Sequence, residues 1–183
     1  VSAYPPPPDI ISGRVAWVFG DDFDIDLVVG VANIKSYDPE HLRSVCMTAY
    51  DPGFVDRVRP GDIIVGGRNF GYGHPHYPPM VALRNAGIQA IVAESFSPGF
   101  WRGETFNGVP LITIPEVSGA VVTGGAVELD WRRAALTTAD GRSMVGSAPS
   151  PRTVAVIEAG GSYELLLAEH RNKQPLTGQG TAR

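Results

Sequence analysis

The chain has 183 residues, a formal net charge of −4 and a single cysteine, Cys46. That length suits one domain with a core large enough to need no metal or disulfide staple. The acidic balance argues against a nucleic-acid or anionic-membrane partner, one thiol forms no internal disulfide, and no apolar run approaches the ~20 residues of a membrane span.

In chain order, Tyr4 to Pro8 is proline-rich and reads as an extended arm over residues 1–12. The opening VSAYPPPPDIIS lacks the basic start and apolar stretch of a signal peptide, so a reducing, cytoplasmic setting is expected. Because the first residue is Val1 rather than Met, a residue or two upstream is expected. Arg14 to Phe19 alternates and is rich in β-formers, which predicts a strand. It runs into Gly20-Asp21-Asp22-Phe23-Asp24-Ile25-Asp26. Four aspartates so close together invite a calcium reading, but the glycine and glutamate of an EF-hand loop are missing at their positions. Turn formation and helix capping are the better reading.

Leu27 to Ala32 is apolar and reads as a short helix or a buried strand. Asp38-Pro39-Glu40 supplies an N-cap, a proline at the first position and an acidic first turn, predicting a helix from Pro39 to about Met47. His41 and Arg43 fall on it, and Cys46 falls on its buried side. Asp51-Pro52 starts a second short helix, to Val58.

The stretch GDIIVGGRNFGYGHPHY, residues 61–77, is the densest in chemistry. Ile63-Ile64-Val65 predicts a strand, Gly66 to Gly73 a glycine-rich loop, Met80 to Ala86 a helix, and Ile88 to Val92 a second strand. That order is a βαβ unit, and such units place ligand groups in the loop after the first strand. The loop holds Gly67, Gly71 and Gly73, with Asn69, Tyr72, His74, His76 and Tyr77 among them.

Further on, Phe100 to Phe106 predicts a short helix and Pro110 to Ile114 a strand. Val127 to Trp131 and Ala134 to Thr138 predict a peripheral antiparallel pair. Ser147 to Pro151 reads as a linker. Val154 to Arg171 carries helical spacing interrupted at Gly160-Gly161, firm from Tyr163 to His170. Residues 172–183 are polar and glycine-bearing, a predicted disordered tail.

Read together, FGDDFDID near residue 20, GDIIVGGRNFGYG at 61–73, IVAESF at 91–96, NGVPL at 107–111 and IEAGGSYELLLAEHR near the end resemble the small, or swivel, subunit of the aconitase superfamily. The similarity is greatest to that of 3-isopropylmalate dehydratase and covers most of residues 13–171. The resemblance implies an α/β fold, a ββα swivel domain with a mixed sheet flanked by helices. It implies a hydro-lyase (dehydratase) subunit not active alone, paired with a large subunit in a heterodimer or heterotetramer. A [4Fe–4S] cluster would sit in that large subunit, with none bound by this chain. The substrate would be a hydroxy di- or tricarboxylic acid.

The family's catalytic loop implies a serine base followed by an arginine that grips a substrate carboxylate. Laid on this chain without a gap, Gly71 and Gly73 match. The base serine falls on His74, the second serine on Pro75 and the arginine on His76, and the next two positions are Tyr77 and Pro78. The arginine usual after the AESF stretch falls on Pro98. Ala32 and Asn33 stand where isopropylmalate enzymes carry arginine and tyrosine. In a register closer to aconitase itself, Arg43 becomes a candidate clamp.

Three readings follow. In one, the chain serves a working hydro-lyase with His74 as proton acceptor and His76 as a substrate-orienting group, because imidazole titrates near neutral pH. Asn69, Gly71, Tyr72, Gly73, Tyr77 and Arg43 then complete the substrate side, with glycine letting backbone N–H groups approach an anion. In the second, the fold persists as a non-catalytic binding or regulatory domain. In the third, His74 and His76 ligate a metal, which would need a third ligand that the neighbouring sequence does not offer. As bland alternatives, loop histidines beside proline serve as surface groups or caps, and Tyr72 and Tyr77 pack at an interface. Asp24 and Asp26 are expected to hold local turns, with contact to the active site as the lesser alternative.

Overall fold

The computed structural model describes residues 5–173. Its organising strand is β1 (Ile10–Val18), four residues longer at its start than the predicted strand and taking in Ile10 to Ser12 from the predicted arm. The arm residues before it are held: Trp131 Nε1 donates to the Pro8 carbonyl at 2.9 Å, and Arg132 pairs with Asp9 at 2.5 Å. Two 3-10 turns follow, Ile25–Val28 and Val31–Asn33, where the sequence allowed a helix or a buried strand. Next come α1 (Pro39–Val45) and α2 (Phe54–Arg57), each a little shorter than predicted. The Asp38 side chain caps α1 by accepting from the Glu40 and His41 backbone N–H groups.

The βαβ unit is present as β2 (Ile63–Gly66), α3 (Pro78–Ala86) and β3 (Ala90–Ala93). Prolines open α3, and Gly87 closes it at φ +119°, donating its N–H to the Leu83 and Arg84 carbonyls. That left-handed cap suits glycine. Beyond it lie α4 (Pro98–Phe106) and β4 (Leu111–Thr113), then α5 (Val117–Ala120), which the sequence did not announce. Strands β5 (Ala126–Asp130), β6 (Ala135–Thr138) and β7 (Ser143–Val145) form a meander. The first two are the predicted pair, and β7 was not foreseen. Helix α6 (Pro151–Ala159) begins inside the expected linker, and α7 (Ser162–Lys173) follows the Gly160-Gly161 break. The predicted tail overlaps the end of α7, and residues 174–183 lie outside the described residues.

The seven strands of the described residues join one sheet in the order β4-β3-β2-β1-β5-β6-β7. β1 to β4 are mutually parallel; β5 to β7 run antiparallel to their neighbours. This is the mixed α/β sheet expected. β1 serves both halves. Ile10 to Arg14 pair with β5, Val15 to Val18 pair with β2, and the register shifts between Val15 and Trp17.

Side chains alternate across the sheet and feed two cores. Ile64 and Ile91 face one core with Phe19, Phe70, Leu42 and Met80. Ile63, Val65, Ala90 and Val92 face the other with Trp131, Leu136, Val117 and Ile157. Asp62, 2% exposed, fixes the start of β2 to β1: its carboxylate accepts from the Arg14 guanidinium at 2.7 Å and from the Arg14 and Arg59 backbone N–H groups at 2.9 and 3.0 Å. The carboxyl ends of β1 and β2 therefore lie side by side, and so do the loops that leave them.

Candidate active site

The loop after β2, residues 67–77, lies against the aspartate-rich segment that follows β1. Three aspartates reach across. Asp21 Oδ1 accepts the Arg68 backbone N–H at 2.7 Å, and Asp21 Oδ2 pairs with the Arg68 guanidinium at 2.7 Å. These two contacts, backbone first, hold the Asp21 carboxyl below its usual value. Asp22 Oδ1 accepts from Asn69 Nδ2 at 2.7 Å. Asp26 takes two bonds from one residue: Oδ1 accepts the His76 backbone N–H at 3.0 Å, and Oδ2 contacts His76 Nδ1 at 2.6 Å. Asp24 does cap a turn, accepting from the Asp26 N–H at 3.0 Å, as expected of it. Asp26 does not: it is a buried cross-link, 7% exposed, spanning fifty positions of sequence.

The other side of the loop is tied to the segment leaving β3. The Asn69 N–H donates to Ser95 Oγ at 2.8 Å, the Phe70 N–H to the Ser95 carbonyl at 2.9 Å, and Ser97 Oγ to the Gly71 carbonyl at 2.7 Å. Beneath it the rings of Phe19, Phe23, Phe70 and Phe100 pack in sequence, with Phe19 and Phe23 stacked at 3.7 Å between centroids. Gly71 has φ +79°, and a Cβ there would lie 2.3 Å from the Phe100 ring, so only glycine fits. Asn69 also sits at positive φ, +54°, which asparagine tolerates better than most residues.

This wiring assigns the sequence candidates to different jobs. The Gly71 and Tyr72 backbone N–H groups both donate to the Phe23 carbonyl, at 3.0 and 3.1 Å. Those N–H groups, and the backbone N–H and side-chain NH₂ of Asn69, are engaged in holding the loop rather than directed at an anion. Gly73 carries φ +91° and lies over the Asp24 carboxyl. Tyr77 is partly buried against the core, whereas Tyr72 is 54% exposed. His74 is exposed, and its ring stands edge-on to that of His76, 5.6 Å between centroids. Arg43 is exposed on α1, and no hydrogen bond or ion pair among the described residues ties it to the loop. Beside it on α1, His41 Nε2 meets Asn33 Oδ1 at 2.9 Å.

Two features escaped the sequence. The Asp26–His76 pair is one; adjacency of two parallel strands was the signal that could have found it, since it sets their exit loops together. The other is an open cleft of about 500 Å³ at the ends of β3 and β4, lined by Ser95, Phe96, Pro98, Trp101, Arg102 and Thr113.

Neither a metal nor a cluster finds a donor set here. Among the described residues no three of His, Cys, Asp or Glu converge as ligands, so His74 and His76 lack the third ligand that a site would need. Cys46 is fully buried, and burial pushes its thiol up to about 12 against a smaller opposing effect of Arg43. A protonated core thiol offers no thiolate to iron. The residues of this chain do not fit an iron–sulfur cluster. No helix among the described residues is long and apolar enough to cross a membrane.

No protein-family model matches the chain. Individual proteins do. It is 38% identical over 162 residues to "3-isopropylmalate dehydratase small subunit 1" of Methanopyrus kandleri, covering 88% of this chain and 95% of that one. The chain belongs to the family of 3-isopropylmalate dehydratase small subunits. Another member, the "isopropylmalate/citramalate isomerase small subunit" of Methanocaldococcus jannaschii, is 37% identical over 86% of this chain and 94% of its own. A crystal structure of 3-isopropylmalate dehydratase from the same organism superposes with a TM-score of 0.79 at 30% identity, over 90% of this chain and 97% of that one. The swivel fold, the hydro-lyase family and the resemblance drawn from GDIIVGGRNFGYG and AESF thus agree. Within this family the chain carries two imidazoles on the loop after β2, one of them bonded to a buried carboxylate.

Proposed function

We propose that this chain is the small subunit of a two-subunit hydro-lyase that removes and re-adds water on a hydroxy carboxylic acid of the 3-isopropylmalate type. The observation that carries the reading is the loop at the carboxyl end of β2, which presents His74 and His76 beside Asp26 in a chain of this family. The large subunit would hold a [4Fe–4S] cluster, which when bound supplies a Lewis acid for the departing hydroxyl.

This chain's share is proton transfer and orientation. His74, at the surface and bonded to no carboxylate among the described residues, accepts the proton from the carbon next to the one bearing the hydroxyl. The C–H electron pair becomes the second bond of an alkene as hydroxide departs, and re-addition returns a proton and hydroxide to the exchanged carbons. A neutral imidazole suits that task near neutral pH. His76 orients a substrate carboxylate, replacing an arginine's fork by a single N–H, which fits a less demanding clamp. Tyr72 and Arg43, both exposed, complete the face turned to substrate or to the large subunit.

Co-expression with a large subunit encoded beside it, cluster reconstitution and assay of hydration across a panel of unsaturated acids test the reading. Activity that requires both chains is expected. A large subunit equally active without this chain would overturn it. A second reading, a binding domain without turnover, draws on the absence of the family's serine and arginine at His74 and His76. It predicts saturable binding of a carboxylate by the pair of subunits with no hydration of any acid in the panel.

A further inference from the structure

Asp26 touches His76 with both oxygens, and that geometry constrains which proton the ring can carry. Oδ1 is held by the His76 backbone N–H and Oδ2 by the ring at Nδ1, 3.0 and 2.6 Å away. An ionised carboxylate accepts and cannot donate. Neutral His76 must then keep its proton on Nδ1 and turn a bare lone pair outward at Nε2. A lone pair repels a substrate carboxylate. Only the imidazolium, with a second proton on Nε2, can bind one.

We propose that Asp26 is a positioning residue that commits His76 to its Nδ1–H form, so that His76 grips a substrate carboxylate only when protonated and substrate binding takes up a proton. This rests on the reading of His76 as the carboxylate-orienting group. The charged and titratable groups around it are few. Asp26 meets it from the first 3-10 turn, Asp24 caps that turn with its carboxyl beside Gly73, and His74 and Tyr77 share its loop. Glu40, His41 and Arg43 lie on α1, which packs on α3. Among the described residues Asp26 alone bonds to the ring, and the His74 ring stands edge-on to it.

Asp26→Asn turns the same geometry into a test. The backbone N–H of His76 requires an oxygen, so the amide oxygen takes the Oδ1 place and the amide NH₂ faces Nδ1. Nδ1 must then accept, and the ring proton moves to Nε2. Inverting a tautomer by this substitution has precedent in the aspartate of serine proteases. The variant would donate from Nε2 without protonation, so its grip on substrate would lose its dependence on pH.

Long-range ¹H–¹⁵N correlation spectra of the full chain, recorded above the imidazole titration, read the tautomer directly. The wild type and Asp26→Glu are expected to carry the proton on Nδ1, and Asp26→Asn on Nε2. A wild-type ring protonated at Nε2, or an Asp26→Asn ring unchanged, overturns the proposal. In the reconstituted complex with 3-isopropylmalate, the wild-type KM should rise about tenfold per pH unit above the imidazolium titration. That of Asp26→Asn should move less than about twofold over the same interval. Parallel KM profiles for the two proteins would also overturn it. The spectra need no turnover, so an inactive complex would sink the functional reading while this one stands or falls on the tautomer.

Discussion

Strands β2 and β3 are buried at every position, while β5 alternates between exposed and buried and β7 is exposed at both ends. These two central parallel strands are covered on both faces, as parallel strands usually are, and the loops at their ends come to the surface. Those loops are cross-linked, and they hold the proposed site: Asp21, Asp22 and Asp26 leave β1 and meet Arg68, Asn69 and His76 leaving β2. The antiparallel half has one solvated face and, among the described residues, no such row of aspartate cross-links between strand-end loops. What it supplies is packing, with Trp131, Leu136 and Leu129 fully buried beneath the same sheet. The molecule thus divides its labour along β1, the strand shared by both halves.

That division can be broken from either side. The largest effect is expected in the parallel half. His74→Ala and His76→Ala, measured in the reconstituted complex, should each lower kcat/KM by about 10²–10⁴-fold, the range of a lost general acid–base group. His74→Ala should do so with little change in melting temperature, whereas His76→Ala should also lower it, because the buried Asp26 carboxylate loses its ring partner. In the antiparallel half, Trp131→Ala removes a fully buried indole and the hydrogen bond to Pro8. It should cost about 3–5 kcal/mol in denaturant unfolding while leaving the rate per folded subunit unchanged.

A third test asks whether helix α4, which adjoins the parallel half, has its own pH response. Burial pushes the Glu104 carboxyl up to about 7, against lowering by an Asn107 hydrogen bond and by Arg84. In the unfolded chain it titrates near 4.5. Between those values the folded state holds a proton that the unfolded state has released, so stability falls as pH rises and stays lowered above pH 7. The loss should be on the order of 3 kcal/mol, and Glu104→Gln should remove that slope from unfolding curves recorded between pH 4.5 and 7. The smallest effect is a null: Cys46 should resist thiol-directed reagents in the folded protein and react once the chain unfolds, since its thiol is buried and protonated.

Much of the parallel half was legible in the sequence. Prolines and Asp38 marked helix starts, and Ile63 to Val65 with Gly66 to Gly73 marked the strand and loop on which the site is built. What stayed hidden was whatever depended on tertiary neighbours. Asp26 reads as a turn former because nothing local shows that His76, fifty residues on, needs its oxygens. Asn69 and Gly71 read as anion binders because their bonds go to Asp22, Ser95 and Phe23, which only the adjacency of β1, β2 and β3 brings near. Short elements such as β7 and α5 carry too few residues for periodicity to declare them. Helix α6 was obscured because Ser150-Pro151 serves equally as a linker and as a cap with proline at the first position.

The central claim is that a loop imidazole of this chain takes a proton from substrate carbon. Exchange of that carbon-bound proton with deuterated solvent, followed by NMR on 3-isopropylmalate with the reconstituted complex, reports the step without requiring product release. The account predicts rapid exchange with the wild-type chain and a loss of about 10²-fold or more with His74→Ala. Exchange at the wild-type rate in a complex carrying His74→Ala would contradict it.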